Sequence, residues 1–256
     1  MSNITLKAAG FIVAYYVLSA IGFATLHAFG ITYIDDRIIW AALPMMLILA
    51  ALAYYAQSNR TEMFNLRQLR FTWDHTPLFL VPFLTVATVI AALIESIVHG
   101  SFSILLIAAV LLALLIGFAE EAMFRRFILE LPGENPSIAQ SVGIFFLSVI
   151  TFAGVHMMNV FSDMSLYEAF QQSLYTINFG VISALLYMVT KNFLALVFWH
   201  MATDFGLFTS QLGIFQSPAL IGQVIDIVMW VSTGLSVVYG GLRLYRRFRL
   251  NPAPAA

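Results

Sequence analysis

Residues Ser103–Arg126 read SILLIAAVLLALLIGFAEEAMFRR, an apolar run that ends in two adjacent glutamates, Glu120 and Glu121. A membrane-spanning helix needs about 20 mostly apolar residues, so this run predicts a transmembrane helix. A charged side chain near the bilayer centre costs a few kcal/mol or more, and such residues usually have a partner and a function. The stretch therefore predicts both a membrane fold and a site that uses carboxylates.

The composition of the whole chain agrees with a membrane protein. Of its 256 residues, 61% are hydrophobic and 10% are charged, whereas average soluble domains contain about 25% charged residues. The mean hydropathy is +0.90. The absence of cysteine excludes a disulfide framework, a zinc–thiolate site and a cysteine nucleophile. The chain also has no basic arm, so we expect no nucleic-acid partner.

Further apolar runs predict an all-α, polytopic membrane protein with about eight transmembrane helices in one bundle. We expect a single transmembrane domain over residues 1–256, with a flexible tail at 251–256. The predicted spans are Ala8–Phe29, Ile38–Ala56, Pro77–Val98, Phe102–Phe118 with a helical extension past Arg126, Ile138–Met158, Ser173–Thr190, Phe193–Gln211 and Ile221–Leu244.

The basic residues predict the orientation of these spans, because lysine and arginine favour the cytoplasmic side. With a cytoplasmic N-terminus, eleven of the twelve lysines and arginines fall inside and only Arg37 falls outside. We therefore expect an integral membrane protein with both termini in the cytoplasm. The short chain without extra domains suggests a prokaryotic cell membrane.

Two later runs also contain ionisable residues. His156 ends the segment ITFAGVH, with Phe152 one turn earlier on the same face. His200 and Asp204 lie four residues apart in LVFWHMATDF, so they share one helix face. Each of these positions alone also fits a structural role, such as a histidine at a helix mouth or an internal His–Asp pair.

The two glutamates are expected to differ in role. Glu121 and Arg125 are four residues apart and can pair on one helix face. Glu120 is rotated by about 100° from Glu121 on an ideal helix, so it can face another neighbour. Alone, the motif also fits a charge cluster that ends a helix at the membrane interface.

The three groups together favour a site built from three helices. Glutamate, two histidines and aspartate can supply a general base together with metal ligands or oxyanion donors, which suits a hydrolase that activates water. The chain has no H-E-x-x-H or G-x-S-x-G motif. One tension concerns depth: His156 lies about 28 Å along its helix from Ser137, near the outer face, whereas Glu120 lies about 16 Å from Leu131. These depths agree if the fifth helix tilts or begins at the interface.

Three motifs in this order resemble a known family. Glu120–Arg125 matches E-E-x-x-x-R, Phe152–His156 matches F-x-x-x-H, and His200–Asp204 matches H-x-x-x-N/D. The chain thereby resembles the CAAX protease and bacteriocin-processing family of intramembrane proteases, also called CPBP or Abi, which includes the type II CAAX prenyl endopeptidases. The resemblance covers Phe118–Phe205, and a family-like catalytic core would span about residues 100–212.

The resemblance implies an intramembrane endopeptidase with Glu120, His156, His200 and Asp204 as catalytic residues. In that family Glu120 would activate the attacking water and His156 would help to hold it. His200 and Asp204 would stabilise the oxyanion or complete the site. Supporting roles fall to the ion pair of Glu121 with Arg125, and to Phe152.

The resemblance leaves the cofactor and the substrate open. Members have been described both as metalloproteases and as metal-independent glutamate proteases. It therefore implies either Zn²⁺ or another divalent metal at Glu120, His156, His200 and Asp204, or no metal. Aspartate at 204, where type II prenyl endopeptidases have asparagine, mildly favours a metal or a protonated carboxyl group. The implied partners are the lipid bilayer and a peptide or protein substrate. The substrate could be lipid-modified or associated with the membrane.

Two other functions fit the same residues. A non-catalytic immunity or scaffold protein of this fold would bind a membrane peptide without cleaving it. A small ion-coupled transporter would use the ionisable residues as an ion pathway, although the chain shows no internal repeat of the kind that many transporters have.

Overall fold

The computed structural model describes residues 3–33, 35–57, 76–98, 103–133, 136–211, 223, 227, 230–231 and 234–250, and all regular structure within these residues is helical. The α-helices are α1 (Asn3–Ala28), α2 (Ile38–Ala41), α3 (Leu43–Ala56), α4 (Thr76–Val98), α5 (Ile104–Glu120), α6 (Ile138–Val155), α7 (Leu166–Thr190), α8 (Phe193–Gln211) and α9 (Gly241–Leu250). Two π-helical segments, Glu121–Phe127 and Ser236–Gly240, and a 3₁₀ helix, His156–Ser162, complete the described elements.

Five of the described helical segments are long and apolar enough to cross a membrane. They are Leu6–Ala28, Ile38–Ala56, Ile104–Phe127, Ile138–Ser162 and Leu166–Thr190, and they correspond to five of the predicted runs. A shorter apolar segment, Phe193–Thr209, corresponds to the seventh run, and α4 corresponds to the third.

The all-helical membrane fold is confirmed, whereas the number of eight spans stays a prediction. Much of the predicted span at 221–244, the polar stretch at 58–75 and the tail at 251–256 lie outside the described residues. The single domain and the cytoplasmic termini also stay predictions, since the orientation depends on the basic residues alone.

Helix α5 lies at the centre of the bundle, packed against α3 on one side and α8 on another. Its buried face carries small side chains, among them Ala108, Ala109 and Ala113. Small residues let helix backbones approach closely, which is how membrane helices gain packing energy. Gly117 lies at a close contact with α8: a Cβ atom there would lie 2.9 Å from the Val197 carbonyl oxygen and 3.1 Å from the Met201 nitrogen.

Local sequence also determines where α6 and α7 begin. Ser137 and Gln140 form a capping box at the start of α6, and Ser165 and Glu168 form another at the start of α7. In each box the serine hydroxyl accepts a backbone N–H while the long polar side chain accepts the serine N–H, which satisfies donors that the helix leaves free. The caps thereby set the register of the two helices that enclose one side of the site.

We expect Gly117→Ala to lower the free energy of unfolding by roughly 1–3 kcal/mol, because the new methyl group would overlap the α8 backbone. Thermal unfolding in detergent micelles measures the effect. Gly143→Ala on α6 is the matched control, since a Cβ atom added there would have no atom within 4 Å and alanine favours helix over glycine. Equal melting temperatures for the two variants would contradict the close contact between α5 and α8.

Candidate active site

The predicted catalytic residues share one cavity inside the bundle. The cavity has a volume of about 400 Å³ and is lined by residues of α1, α2, α3, α5, α6, α7 and α8, the 3₁₀ helix and the segment between α1 and α2. Its lining includes Glu120, Phe152, His156, His200 and Asp204. Residues from three separate helices therefore meet at one place, although they lie up to 84 positions apart in the sequence (120 to 204).

The His200 imidazole lies at the centre of this group. Its Nε2 atom is 3.5 Å from Glu120 Oε2 and 3.4 Å from Asp204 Oδ2. Its Nδ1 atom forms a 2.8 Å hydrogen bond with Glu121 Oε1. The histidine side chain is 5% exposed, whereas those of Glu120 and Asp204 are 12% and 19% exposed. The two cavity-facing carboxylates thus flank one nitrogen, and Glu121 holds the other.

The hydrogen bond between Glu121 and His200 is absent from the sequence prediction. The expected pair is present, with Glu121 Oε2 at 3.5 Å from Arg125 Nε, but the same carboxylate also bonds to the histidine. The π-helical segment begins at Glu121, directly after α5 ends at Glu120. Adjacent glutamates thereby reach opposite nitrogens of one imidazole, which an i,i+4 argument within a single helix could not reveal.

Arg125 is fully buried beneath the site. Its Cζ atom lies 3.9 Å from the centroid of the Phe152 ring, a cation–π geometry that is worth more when the cation is desolvated. Phe152 in turn has ring contacts with His156 at 5.1 Å and with His200 at 6.0 Å between centroids. Phe152 therefore packs against the arginine and both histidines.

His156 lies where α6 changes into the 3₁₀ helix. Its Nδ1 atom is 3.0 Å from the Phe152 carbonyl oxygen. A carbonyl oxygen only accepts hydrogen bonds, so Nδ1 carries the proton and a neutral ring keeps Nε2 as an acceptor. The sequence places His156 and Glu120 at different depths along their helices, yet both side chains line the cavity. Helix α6 packs against α7 and the π-helical segment, which brings the C-terminal end of α6 to this cavity.

Several cavity residues carry no motif that sequence reasoning could have recognised. The Phe179 ring lies 4.5 Å from the His200 ring and stacks on Trp199 at 4.5 Å. It is one of 23 phenylalanines, and nothing in its local sequence distinguishes it. Tyr33 and Gln172 also line the cavity, the first from a loop and the second from α7, and neither belongs to a motif.

Among the described residues, no group of three or more histidine, aspartate and glutamate side chains has an arrangement that could hold a metal ion. A metal at Glu120, His156, His200 and Asp204 stays one of the two alternatives that the family resemblance implies. The side chains themselves can supply a base, an acceptor and a donor.

Comparison with known proteins identifies a family whose model matches part of this chain. Residues 102–206 match the family model described as type II CAAX prenyl endopeptidase Rce1-like. The matched segment contains every predicted site residue from Glu120 to Asp204. Searches of curated proteins and of solved structures gave no match.

We expect the two glutamates to differ sharply in their effect on stability. Glu121→Ala leaves a buried arginine without its carboxylate, which costs on the order of 3–5 kcal/mol. Glu120→Ala truncates a side chain that faces the cavity, so the change in unfolding free energy should be much smaller. Heating in detergent followed by size-exclusion chromatography measures both variants. A larger loss for Glu120→Ala than for Glu121→Ala would contradict this assignment.

Proposed function

Because residues 102–206 belong to the CAAX protease family, we propose that this membrane protein is an intramembrane endopeptidase in which Glu120 activates water to hydrolyse a peptide bond. The observation that carries the proposal is the convergence of Glu120, His156, His200 and Asp204 on one cavity. The His200 side chain is only 5% exposed, and a buried group that is positioned in advance stabilises developing charge more strongly than a group in water does.

Glu120 is the proposed general base. It takes a proton from a water molecule that also donates a hydrogen bond to Nε2 of His156. The resulting hydroxide adds to the scissile carbonyl carbon and forms a tetrahedral oxyanion. Glu120 then gives the proton to the leaving nitrogen, and the C–N bond breaks. The same carboxyl group thereby serves as base and then as acid, which conserves protons over the cycle.

His200 is the proposed oxyanion donor. Glu121 holds Nδ1, so Nε2 is directed between Glu120 and Asp204. With Nε2 protonated, the imidazolium charge would be balanced by the surrounding carboxylates and its N–H could bind the oxyanion. A preorganised donor of this kind contributes roughly 10²–10³-fold to the rate.

The rest of the cavity favours an apolar or lipid-modified substrate segment. Its lining from α1, α2, α3 and α5 is largely aliphatic or sulfur-containing, and it consists chiefly of Phe23, Ile38, Ala42, Met45, Met46, Leu49, Leu112 and Ile116. Methionine side chains are flexible and adapt to irregular apolar ligands. We propose that apolar substrate groups bind on this side while the scissile bond meets Glu120.

We expect Glu120→Gln to lower kcat by at least 10²–10⁴-fold, because the amide cannot take a proton from water. The assay uses purified protein in proteoliposomes with an internally quenched peptide that carries a farnesylated CAAX carboxyl terminus. Asp163→Asn is the matched control: it makes the same acid-to-amide change at an exposed position outside the cavity.

Turnover by folded Glu120→Gln at the wild-type rate would contradict the mechanism. Wild-type protein that binds the peptide without cleaving it would favour the scaffold alternative, and ion flux without cleavage would favour the transporter.

Asp204→Asn distinguishes hydrogen bonding from metal ligation at this position. If Asp204 only orients groups around His200, the kcat of Asp204→Asn should stay within about tenfold of the wild-type kcat, because one neutral hydrogen bond is worth about 1 kcal/mol. Elemental analysis of wild-type and variant protein accompanies the kinetics. Loss of a bound metal together with activity in Asp204→Asn would show that Asp204 is a metal ligand.

A further inference from the structure

A chain of three neutral polar side chains forms one wall of the cavity. Asn159 Nδ2 donates a 2.7 Å hydrogen bond to Gln172 Oε1, and Gln172 Nε2 donates a 3.0 Å hydrogen bond to the Tyr33 hydroxyl. Tyr33 lies between α1 and α2, Asn159 in the 3₁₀ helix and Gln172 on α7. All three line the same cavity as Glu120. None of them has a role in the hydrolysis mechanism.

The direction of these hydrogen bonds leaves the Asn159 Oδ1 acceptor and the Tyr33 hydroxyl donor available to a ligand. Asn159 uses its amide nitrogen, which leaves Oδ1 as an acceptor without a partner among the described residues. The Tyr33 oxygen accepts from Gln172, so its own proton can be donated elsewhere. The pKa of Tyr33 is raised to about 12, chiefly by burial and further by the charges of Asp204 and Glu120, against a smaller lowering by the hydrogen bond from Gln172, so the hydroxyl keeps its proton at neutral pH.

The wall is also held rigidly near the catalytic residues. The Tyr33 N–H donates to the Ser162 carbonyl at 3.3 Å, and the Ser162 hydroxyl donates to the Asn159 carbonyl at 2.7 Å. Residues three apart eclipse each other in a 3₁₀ helix with a rise of about 2 Å per residue, so Asn159 stands about 6 Å from His156 on the same side. An extended peptide advances about 3.3 Å per residue, so this distance corresponds to two substrate residues.

Charge narrows the choice of ligand. The cavity already contains the carboxyl groups of Glu120 and Asp204, and the cationic Arg125 is not part of its lining. The proposed His200 imidazolium is already flanked by these two carboxyl groups, so a substrate carboxylate at the polar wall would meet like charge, whereas a neutral amide would not. One acceptor and one donor at neighbouring points of a neutral wall match the N–H and C=O groups of a peptide main chain.

We infer that Tyr33, Asn159 and Gln172 bind the substrate main chain about two residues from the scissile bond. Asn159 Oδ1 accepts a main-chain N–H, and the Tyr33 hydroxyl donates to a main-chain carbonyl. Gln172 holds both side chains in place as a positioning residue. This inference rests on the proposed endopeptidase function. The three residues would bind the substrate through its main chain, whatever side chains the substrate carries there.

Substrate N-methylation tests the inference directly. The probe is the farnesylated, internally quenched CAAX peptide, prepared with single N-methyl groups at the amides up to two residues on either side of the scissile bond. For wild-type protein, one of the amides two residues away should show a roughly 3- to 10-fold loss of kcat/KM, the value of one hydrogen bond. In Asn159→Ala the same N-methyl group should cause no further loss, because its acceptor is already missing.

Tyr33→Phe gives a second, more conservative test, because it keeps the ring and its 6.4 Å contact with Phe23. We expect KM to rise roughly 3- to 10-fold with kcat within twofold of wild type. Tyr54→Phe on α3 is the matched control: Tyr54 is exposed and lies outside the cavity, so KM should stay unchanged. A variant that only loses thermal stability, with KM unchanged, would show a purely structural role for Tyr33 and overturn the inference.

The two proposals fail in different ways. Cleavage by Glu120→Gln would overturn the endopeptidase mechanism. Cleavage that depends on Glu120, with an N-methyl penalty that is the same in wild type and Asn159→Ala, would overturn the substrate-binding wall alone.

Discussion

The carboxylate of Glu121 has two partners inside the bundle, and the geometry of the site depends on this double contact. One oxygen lies beside the Arg125 guanidinium and the other hydrogen-bonds to His200 Nδ1. A buried charge is tolerated when it is both paired and hydrogen-bonded, and the loss of either partner leaves a costly unsatisfied group. The arrangement therefore couples the position of α8, which carries the histidine, to that of the π-helical segment after α5.

Backbone packing makes this contact possible. Gly117 lets α5 and α8 approach closely one turn before the glutamates, and its missing side chain leaves room for the α8 backbone beside it. The change to π-helix after Glu120 then directs two adjacent carboxylates to opposite sides of one imidazole. Irregular helical turns of this type are rare and occur often at functional sites. A second irregular segment begins at His156, where the α-helix changes to a 3₁₀ helix. Residues three apart lie on one side of a 3₁₀ helix, so Asn159 lies on the same side as His156.

These constraints divide the ionisable residues into two groups with different chemistry. Glu121 and Arg125 are buried away from the cavity and stabilise the fold, whereas Glu120 and Asp204 face the cavity. Among the described residues, these two carboxylates lie beside the titratable imidazole of His200 and not beside an arginine, which suits the proton exchange proposed for Glu120. The match of residues 102–206 to the CAAX protease family is consistent with a protease, and the polar wall of Tyr33, Asn159 and Gln172 adds a surface suited to a peptide backbone.

The sequence by itself determined the membrane helices, the three motifs and the pairing of Glu121 with Arg125. Each depends on local information: the length of an apolar run, or a spacing of four residues on one helix. Only the tertiary structure decided that Glu121 also bonds to His200, that His156 reaches the cavity of Glu120, and that Tyr33 meets Gln172. Glu121 and His200 are 79 residues apart, and Tyr33 and Gln172 are 139 apart. Contacts over such separations depend on how the helices tilt and pack against one another. The spacing of apolar residues along one helix does not determine that packing.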